Sequence, residues 1–556
     1  MSEGALRGAV AAGHPAEVAA GLRMLELGGN AVDAVVAGAF AAFVVEPTNC
    51  GLAGYGHLSA YLPGEGRFLT VDHGPRAPAA AHAEMFPLAE AYAGGHYDWP
   101  QVVGRANELG HLAPAVPGAV AGLCEAHARA GVLDLAAVLE PAIALADAGL
   151  EVDWHLTLMI CERLHEIRRF ADAAGLLLRD GDPPPASGYW GAGERLDTTA
   201  LAQTLRRVAR EGAAGFHAGP VAAAIEAAVR AGGGILSARD LADYRPKVFW
   251  EPPQRYRDLE YVTSNDQVGY EVLNILARFP LAEMAVDEAV LCHLLGEAMG
   301  HAFADNVQHY GDPDHVASPV DGLASPAFAA QRAELLRLDA VAPRPIAAGD
   351  PWPFDAHERP AEGAGPSFGR VHGTTQVAAA DGDGAMASLI TTIGQDFGCL
   401  VYVPEVGVFL NSSMVNYDPR PGRPGSIAPG KMPFFAVPSI VAARAGKAVF
   451  AAAGSGGYRI LSGVVQTMVH AVDRGMPLRS AVDAPRVYCQ GDELFVDERL
   501  PAAAREALAR IGHAVVVERP TPAYAPFARV SAVSALHGRL EAASDPPWNT
   551  AAGCLQ

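Results

Sequence analysis

The chain has 556 residues, of which 50% are hydrophobic and 19% are charged, a composition typical of a globular protein with a large core and not of a disordered one. Its 62 acidic and 41 basic residues give a net charge of -21, and no run of Lys or Arg could follow a phosphate backbone, so nucleic acid is not an expected partner. The seven cysteines are scattered and lack CxxC spacing, which predicts reduced thiols in a cytoplasmic protein rather than a disulfide framework or a zinc site.

The first part of the chain predicts two helices followed by a strand. The first helix ends at Glu26, a Gly-Gly-Asn break follows, and a second, almost wholly apolar helix begins near Val32. A glycine-rich turn at 51–56 then leads into a strand at 58–62. That turn fits either the wall of an active site or plain packing.

Neither a secretory signal nor a membrane span is visible in this region. The first 22 residues lack a basic segment followed by an apolar core and a small-residue cleavage site. The most apolar stretch, 31–45, is 15 residues long and contains Asp33, so it is too short to cross a bilayer. These features predict a protein without a membrane partner.

In the rest of the chain the predicted secondary structure changes from mainly helical to mainly strand. From about 115 to 245 apolar residues recur at helical spacing, and the predicted helices end at glycines. The segment 340–370 is rich in Pro, Gly and Ala without periodicity, which predicts a long exposed linker. After it, short strands separated by Gly, Asp or Pro turns begin at Thr374, and the segment KAVFAAAG at 447–454 leads through GSGG into a helix.

The threonine pair at 374–375 follows Gly373 at the start of the first of these strands. A threonine pair in a strand is ordinary, because β-branched side chains pack well on a pleated surface. A threonine that becomes the first residue of a chain has a second use, since its own α-amino group can accept the hydroxyl proton. That amino group has a pKa of about 7.7 to 8.0, so it is partly neutral at cellular pH.

Several sequence blocks resemble the γ-glutamyltranspeptidase family of N-terminal nucleophile hydrolases, and they cover nearly the whole chain in the family's order. They are LELGGNAVDAVVAGAFAAFVVEP at 25–47, AVPGAVAGL at 115–123, PAIALADAGL at 141–150, GGGILSARDLADY at 232–244, YGDPDHV at 310–316, AGSGGYRI at 453–460 and VDAPRVY at 482–488. The resemblance implies an α/β (α+β) fold, the four-layer αββα sandwich of these hydrolases.

The resemblance also implies self-cleavage between Gly373 and Thr374, into a large fragment 1–373 and a small fragment 374–556 that stay together as a heterodimer, which could pair further into (αβ)2. Thr374 falls on the family's nucleophile and Thr392 on the threonine that supports it. Gly456 and Gly457 fall on the glycine pair whose N–H groups form the oxyanion hole. No metal or organic cofactor is implied. Without the family context, GSGG before a helix fits a phosphate cradle or a flexible turn equally well.

The chain departs from the family at the carboxylate clamp for the glutamyl group. In DHGPRAP, Gly74 stands at the family's arginine position and Arg76 is displaced by two residues. The family's serine pair is replaced by Phe434 and Phe435. The polar residues that would bind the glutamyl carboxylate are thus largely replaced by aromatic side chains.

The partners of the glutamyl amino group are changed as well. The family's glutamine and aspartate correspond to Ser413 and Asn416, so the carboxylate that would pair with an ammonium group is lost. Since an unpaired buried charge is costly, such a pocket should reject a free glutamyl head. The segment 418–433 is shorter than the family's usual lid region, which favours hydrolysis over transfer.

These departures point to the amidase branch of the family, which includes cephalosporin acylases and oxamate amidohydrolases. We expect a small-molecule amide substrate whose acyl group rests on Phe434 and Phe435, with Arg76 or His73 reaching a distal carboxylate. Two other hypotheses remain: a true γ-glutamyltransferase or glutathione hydrolase with rebuilt contacts, and an uncleaved, non-catalytic binding protein on the same scaffold.

Overall fold

The computed structural model describes residues 7–90, 99–188, 191, 193–284, 287–357, 359, 373–433, 437–521, 525–545 and 550–555. Its helices are α1 Pro15–Glu26, α2 Ala31–Val45, α3 Ala119–Ala130, α4 Leu135–Ala148, α5 Trp154–Ile167, α6 Ala171–Leu177, α7 Thr199–Glu211, α8 Ala214–His217, α9 Gly219–Ala231, α10 Ala238–Asp243, α11 Gln267–Leu276, α12 Leu281–Met284, α13 Glu288–His309, α14 Val320–Leu323, α15 Pro326–Ala333, α16 Arg459–Val472, α17 Leu478–Asp483 and α18 Ala502–Ile511.

The strands are β1 Gly8–Ala12, β2 Tyr55–Leu62, β3 Arg67–His73, β4 Leu150–Glu151, β5 Arg195–Leu196, β6 Lys247–Glu251, β7 Gln254–Tyr256, β8 Leu259–Val262, β9 Thr374–Asp381, β10 Met386–Thr392, β11 Tyr402–Val403, β12 Val408–Phe409, β13 Ile440–Arg444, β14 Lys447–Ser455, β15 Val487–Cys489, β16 Glu493–Asp497, β17 Ala514–Glu518, β18 Arg529–Ser534, β19 Glu541–Ser544 and β20 Ala551–Leu555.

Two large antiparallel sheets form the centre of the molecule. The first has the order β20-β1-β9-β10-β2-β3-β6 and the second the order β19-β18-β14-β13-β8-β7. The sheets pack face to face through β9, β10, β14 and β18, while α1 and α2 cover the outer face of the first sheet and α11 and α16 the outer face of the second. This is the four-layer αββα sandwich, so the expected fold class is confirmed.

Small side chains dominate the layer between the two sheets. The buried cluster there includes Ala378 and Ala380 of β9 and Ala451 of β14. Because side chains alternate along a strand, the even-numbered residues of β9 face the second sheet and the odd-numbered ones face α2. The adjacent threonines at the start of β9 therefore point to opposite sides of the sheet.

Helix α2 is buried along almost its whole length, as its apolar sequence predicts. Asn30 caps its first turn, and its side-chain oxygen accepts from the backbone N–H groups of Val32 and Asp33. In return the Asp33 carboxylate accepts from the Asn30 N–H, which completes a capping box. The break and the second helix are thus confirmed to within one residue.

Two strand predictions need correction. The glycine-rich segment 51–56 was expected to be a turn, but β2 already begins at Tyr55, because the glycine at 56 lets this strand pair closely with β10. Among the short strands that the sequence predicts after Thr374 is the segment VGVFLNSSM at 406–414, but within it only β12 is a strand, and a short 3-10 helix, Ser413–Asn416, follows.

The predicted linker at 340–370 is only partly within the described residues. Its first part, 340–357, is mainly a mixture of half-buried and exposed residues, and its backbone is bonded to buried polar groups: the Ala342 N–H donates to Glu297 at 2.8 Å and the Ala347 carbonyl accepts from Arg332 at 2.9 Å. Residues 358 and 360–372 lie outside the described residues.

Within the described part of the chain, every helix is too short or too polar to cross a lipid bilayer. The seven cysteines all have free thiols.

The Asp33 carboxylate gives a test of how the helical layer is held. Burial would raise its pKa, but His127 and the backbone N–H groups of Asn30, Val132 and Leu133 outweigh burial and lower the pKa below its ordinary value of 3.8. A lowered pKa in the folded state means that the stabilisation is present above pH 3.8 and is lost as the pH falls through the folded-state value.

We therefore expect Asp33→Asn to lower the free energy of unfolding at pH 7 by roughly 2–4 kcal/mol, since hydrogen bonds to a buried carboxylate are lost. The difference from the wild type should shrink below pH 4 in urea titrations. The exposed Asp243→Asn serves as control and should change little. Equal effects of the two substitutions at pH 7 would contradict this role of Asp33.

Candidate active site

Two threonine hydroxyls lie side by side where the central strand β9 begins and its neighbour β10 ends. Thr374 is the first residue of β9 and lies directly opposite Thr392, the last residue of β10. The Thr374 hydroxyl donates to Oγ1 of Thr392 over 3.2 Å, and both side chains are buried. Strand pairing therefore holds the two hydroxyls against each other.

The peptide bond between Gly373 and Thr374 lies in this hydroxyl cluster. The Thr392 hydroxyl donates to the carbonyl oxygen of Gly373 and accepts from the Gly394 N–H over 3.0 Å. Gly373 has φ +90°, and a Cβ at this position would lie 2.5 Å from the carbonyl oxygen of Gly394. Only glycine fits there, so the backbone before Thr374 is held in a conformation closed to other residues.

Gly456 and Gly457 connect the end of β14 to the beginning of α16. Both have positive φ, +135° and +63°, and a Cβ on Gly456 would lie 2.8 Å from Cα of Ala528. Gly456 lines the same cleft as Thr374. N–H groups at the beginning of a helix carry a partial positive charge, which suits a developing oxyanion.

The cleft over Thr374 contains about 470 Å³ of empty space, part of it open to solvent. Its charged or titratable side chains are His155, Asp396 and Arg529. Burial and the nearby Arg529 lower the pKa of His155, so its imidazole is neutral at pH 7. The described residues that line the cleft are Asn49, His155, Met159, Gly373, Thr374, Asp396, Ser455, Gly456, Ala525 and Arg529.

Arg529, at the start of β18, ties the second sheet to the backbone of Thr374. Its Nη2 donates to the Thr374 carbonyl over 3.1 Å, and its Nε donates to Oγ of Ser455 over 2.9 Å. Strand β1 pairs with β9 only from Val377 onward. Thr374 lies before this paired part of β9, so Arg529 bonds a carbonyl that β1 does not reach.

Two buried carboxyl groups, Glu17 of α1 and Glu46 after α2, lie on the opposite side of the strand. Glu17 accepts from the Gly13 N–H over 3.2 Å, and Glu46 accepts from Nδ2 of Asn49 over 3.0 Å. Burial and the neighbouring Glu46 raise the pKa of Glu17 well above its usual range. Burial acts in the same direction on Glu46, but Arg529, Glu17 and Thr375 lower its pKa. Because the two shifts have opposite directions, we expect the pair to share one proton, which is held by Glu17.

This arrangement gives the threonine pair two separate environments. The Thr374 hydroxyl faces Thr392, whereas the side chain of Thr375 faces Glu46 on the helical side. The charge of the carboxyl pair is balanced by Arg529. Both sides of the strand end are thus held by polar contacts rather than by packing alone.

His73 and Arg76, which were expected to reach a distal carboxylate, do not line this cleft. His73 is fully buried, with its pKa lowered to about 3 by burial, and its Nδ1 lies 3.3 Å from the carbonyl of Val71. Arg76 forms an ion pair with Asp312 at 3.6 Å. Neither residue lines the cleft described above, and their roles stay predictions.

The two polar residues expected on the amino side are buried as well. Nδ2 of Asn416 donates to Oγ of Ser413 over 3.3 Å and to the hydroxyl of Tyr55 over 3.0 Å. Phe434 and Phe435 lie outside the described residues.

Among the described residues, the group best placed to hold a metal ion is His293, Glu297 and His513, far from Thr374 in the sequence. The two histidines are hydrogen bonded to each other over 2.7 Å, and Glu297 is paired with Arg344. These contacts explain the cluster as internal polar packing.

The γ-glutamyltranspeptidase family model matches residues 18–554. The chain belongs to the γ-glutamyltranspeptidase family. The protein is therefore an enzyme of this family, and the resemblance indicated by its motifs is confirmed.

Known relatives include both acylases and glutathione hydrolases. The acylase ACY 1 proenzyme of Pseudomonas sp. (strain SE83) is 35% identical over 515 residues, 92% of this chain and 87% of that protein. The glutathione hydrolase proenzyme of Bacillus subtilis (strain 168) is 31% identical over 513 residues, 91% of this chain and 85% of that protein. The crystal structure of cephalosporin acylase from Bacillus halodurans has a TM-score of 0.83 and 25% identity, covering 99% of this chain and 96% of that one.

Sequence reasoning missed Arg529, His155 and the carboxyl pair. Arg529 lies 155 residues beyond Thr374 and reaches it only because β18 and β9 belong to facing sheets. Glu46 directly follows the apolar helix, in the segment EPTN at 46–49. An acidic residue next to a buried helix is a signal that could have indicated a buried carboxyl group.

The carboxyl pair gives a pH-dependent test. Because the pKa of Glu17 is raised in the folded state, its stabilisation is present below its ordinary value of 4.5 and is lost as the pH rises through the folded-state value. Glu17→Gln removes this loss, so the variant should gain stability relative to the wild type as the pH rises above 4.5. Glu46→Gln leaves Arg529 without its counter-charge and should cost roughly 3 kcal/mol at pH 7.5.

Urea titrations from pH 5.5 to 9 measure both free energies of unfolding. Equal costs for the two variants at every pH would show that the carboxyl groups do not share a proton.

Proposed function

We propose that the protein cleaves itself between Gly373 and Thr374 and then acts as an N-terminal threonine amide hydrolase. One observation carries this proposal: the Thr374 hydroxyl bonds to Thr392, and Thr392 in turn bonds the carbonyl oxygen of Gly373. Nucleophile, supporting hydroxyl and the bond to be cut thus lie within one hydrogen-bonded cluster.

In the self-cleavage step, Oγ of Thr374 attacks the carbonyl carbon of Gly373. The oxygen of that carbonyl gains negative charge while the Thr392 hydroxyl donates to it. The C–N bond then breaks, the nitrogen takes up the hydroxyl proton, and an ester joins Gly373 to Oγ of Thr374. Water hydrolyses the ester, which leaves a carboxylate on Gly373 and a free α-amino group on Thr374.

In the catalytic step the new α-amino group acts as the base. It accepts the proton of the Thr374 hydroxyl as Oγ attacks the amide carbonyl of the substrate. The N–H groups of Gly456 and Gly457 stabilise the oxyanion, and the amine leaves with a proton. Water then releases the acid from the acyl-enzyme. The chemistry uses only protein groups.

We propose an acyl group without a free glutamyl head as the substrate. The loss of a carboxylate at Asn416 and the replacement of the serine pair by Phe434 and Phe435 support this, as does the likeness to proteins named acylases. An acyl group with a distal carboxylate, as in glutaryl amides, and an oxamate-like amide are both compatible with these departures. Glutathione hydrolysis is less favoured, although relatives of that name exist.

The two fragments, 1–373 and 374–556, should stay together after cleavage. Strand β1 of the first fragment lies between β20 and β9 of the second, so separating the fragments would break strand pairing on both sides. The relatives are named proenzymes, in agreement with a processed heterodimer. A further (αβ)2 assembly and a cytoplasmic location stay predictions.

Substitution of the nucleophile tests this function. We expect Thr374→Ala to remain a single chain and to hydrolyse no amide, because the attacking oxygen is missing. Thr374→Ser should cleave itself and keep measurable activity, since it retains the hydroxyl. The readouts are denaturing gel electrophoresis over several days and release of 4-nitroaniline from glutaryl-4-nitroanilide.

Thr375→Ser provides a matched control, because the neighbouring side chain faces the helical side of the sheet. Amide hydrolysis by Thr374→Ala at the wild-type rate would overturn the proposed nucleophile. A wild type that remains uncut and inactive would instead favour the binding-protein hypothesis.

A further inference from the structure

Tyr55 stands in one row with the two threonines of the site. Thr392 lies directly opposite Thr374 on one side and directly opposite Tyr55 on the other, across the neighbouring strands β9, β10 and β2. Directly opposed residues of an antiparallel sheet point to the same face, with Cβ atoms about 4.5–5.5 Å apart. The Tyr55 ring therefore borders Thr392 on the face from which Thr374 reacts.

The hydroxyl of Tyr55 ends among the polar side chains of the neighbouring 3-10 helix. It accepts from Nδ2 of Asn416 over 3.0 Å, and Asn416 also contacts Ser413. Burial raises the pKa of Tyr55 to about 12, against the opposing effect of hydrogen bonds with Ser413, Asn416 and Thr392. The phenol is therefore neutral, and its ring is only 1% exposed.

Polar groups near the hydroxyl of Tyr55 are also paired within the protein. The Tyr417 hydroxyl donates to the Lys431 carbonyl over 2.6 Å, and Arg76 is paired with Asp312. The cleft over Thr374 is bordered by other residues, among them Asn49, His155 and Arg529. The polar groups around Tyr55 are thus engaged with one another, whereas the open space beside Thr374 has a different lining.

We infer that Tyr55 is a specificity-determining residue, an inference that rests on the proposed function. Its ring occupies the route from Thr374 to Ser413 and Asn416, so an acyl group carrying an α-ammonium cannot reach these polar side chains. The enzyme accepts acyl groups without an α-ammonium, which lie in the cleft bordered by Asn49, His155 and Arg529.

The physical reason is the cost of burying an unpaired charge. An ammonium group pressed against the ring of Tyr55 would lose its water without gaining a carboxylate partner and without reaching the amide of Asn416. A methylene group at the same place packs against the ring without such a loss. The α-amino group alone therefore separates good substrates from poor ones.

Two substrates that differ only in this group provide the test: γ-glutamyl-4-nitroanilide and glutaryl-4-nitroanilide. The wild type should prefer the glutaryl compound by at least tenfold in kcat/KM. Tyr55→Ala opens the route to Ser413 and Asn416, and we expect it to shift the ratio toward the γ-glutamyl compound by at least tenfold. Tyr55→Phe keeps the ring and should leave the ratio within threefold of the wild type.

Tyr61→Ala is the matched control, because Tyr61 is also buried and lies on the same strand and face, six residues from Tyr55. It should leave the ratio unchanged. A ratio that Tyr55→Ala does not move, or moves no more than Tyr61→Ala, would overturn the inference. The ratio separates specificity from a loss of folded protein, because such a loss lowers both rates alike.

Competition on the wild type keeps the test independent of how well Tyr55→Ala folds. Glutarate should inhibit hydrolysis of the anilide, whereas L-glutamate at tenfold higher concentration should not. Equal inhibition by the two acids would overturn the inference while leaving the proposed function in place. A wild type that is uncut and cleaves neither anilide would overturn the proposed function, and this inference with it.

Discussion

The pairing of β9 with β10 is the constraint on which the site depends. It places Thr374 opposite Thr392 and brings the Thr392 hydroxyl to both the Thr374 hydroxyl and the Gly373 carbonyl, the arrangement on which the proposed chemistry rests. Because both strands lie inside the first sheet, between β1 and β2, this register is fixed by pairing on either side. A shift of either strand by one residue would turn its own hydroxyl to the helical face, where α2 packs, and would separate the two threonines.

The second requirement is electrostatic. Glu17 and Glu46 are carboxyl groups buried behind β9; burial and Glu46 raise the pKa of Glu17, whereas Arg529 lowers the pKa of Glu46 and so favours its charged form. The same guanidinium holds the Thr374 carbonyl. The proposed cleavage would turn Thr374 into a chain end, so a contact that fixes its backbone independently of Gly373 preserves the geometry that the second reaction needs. Stability and catalysis thus depend on the same small group of charges.

Much of the fold and of the proposed machinery could be predicted from the sequence, because local signals carry them. Helix α2 follows from an apolar run after Asn30, whereas Thr374 follows from the resemblance of several sequence blocks to the family, because a threonine pair in a strand is by itself ordinary. The contacts of Arg529 could not be predicted in this way, since they join facing sheets. Tyr55 was hidden for another reason: its flanking glycines suggested a turn, whereas in the fold they permit close strand pairing.

Intact-mass spectrometry of the purified protein, with N-terminal sequencing of any fragments, tests the central claim most directly. The account predicts two polypeptides that copurify, with the smaller one beginning at Thr374. A single chain of 57.8 kDa that persists after days of incubation would contradict it.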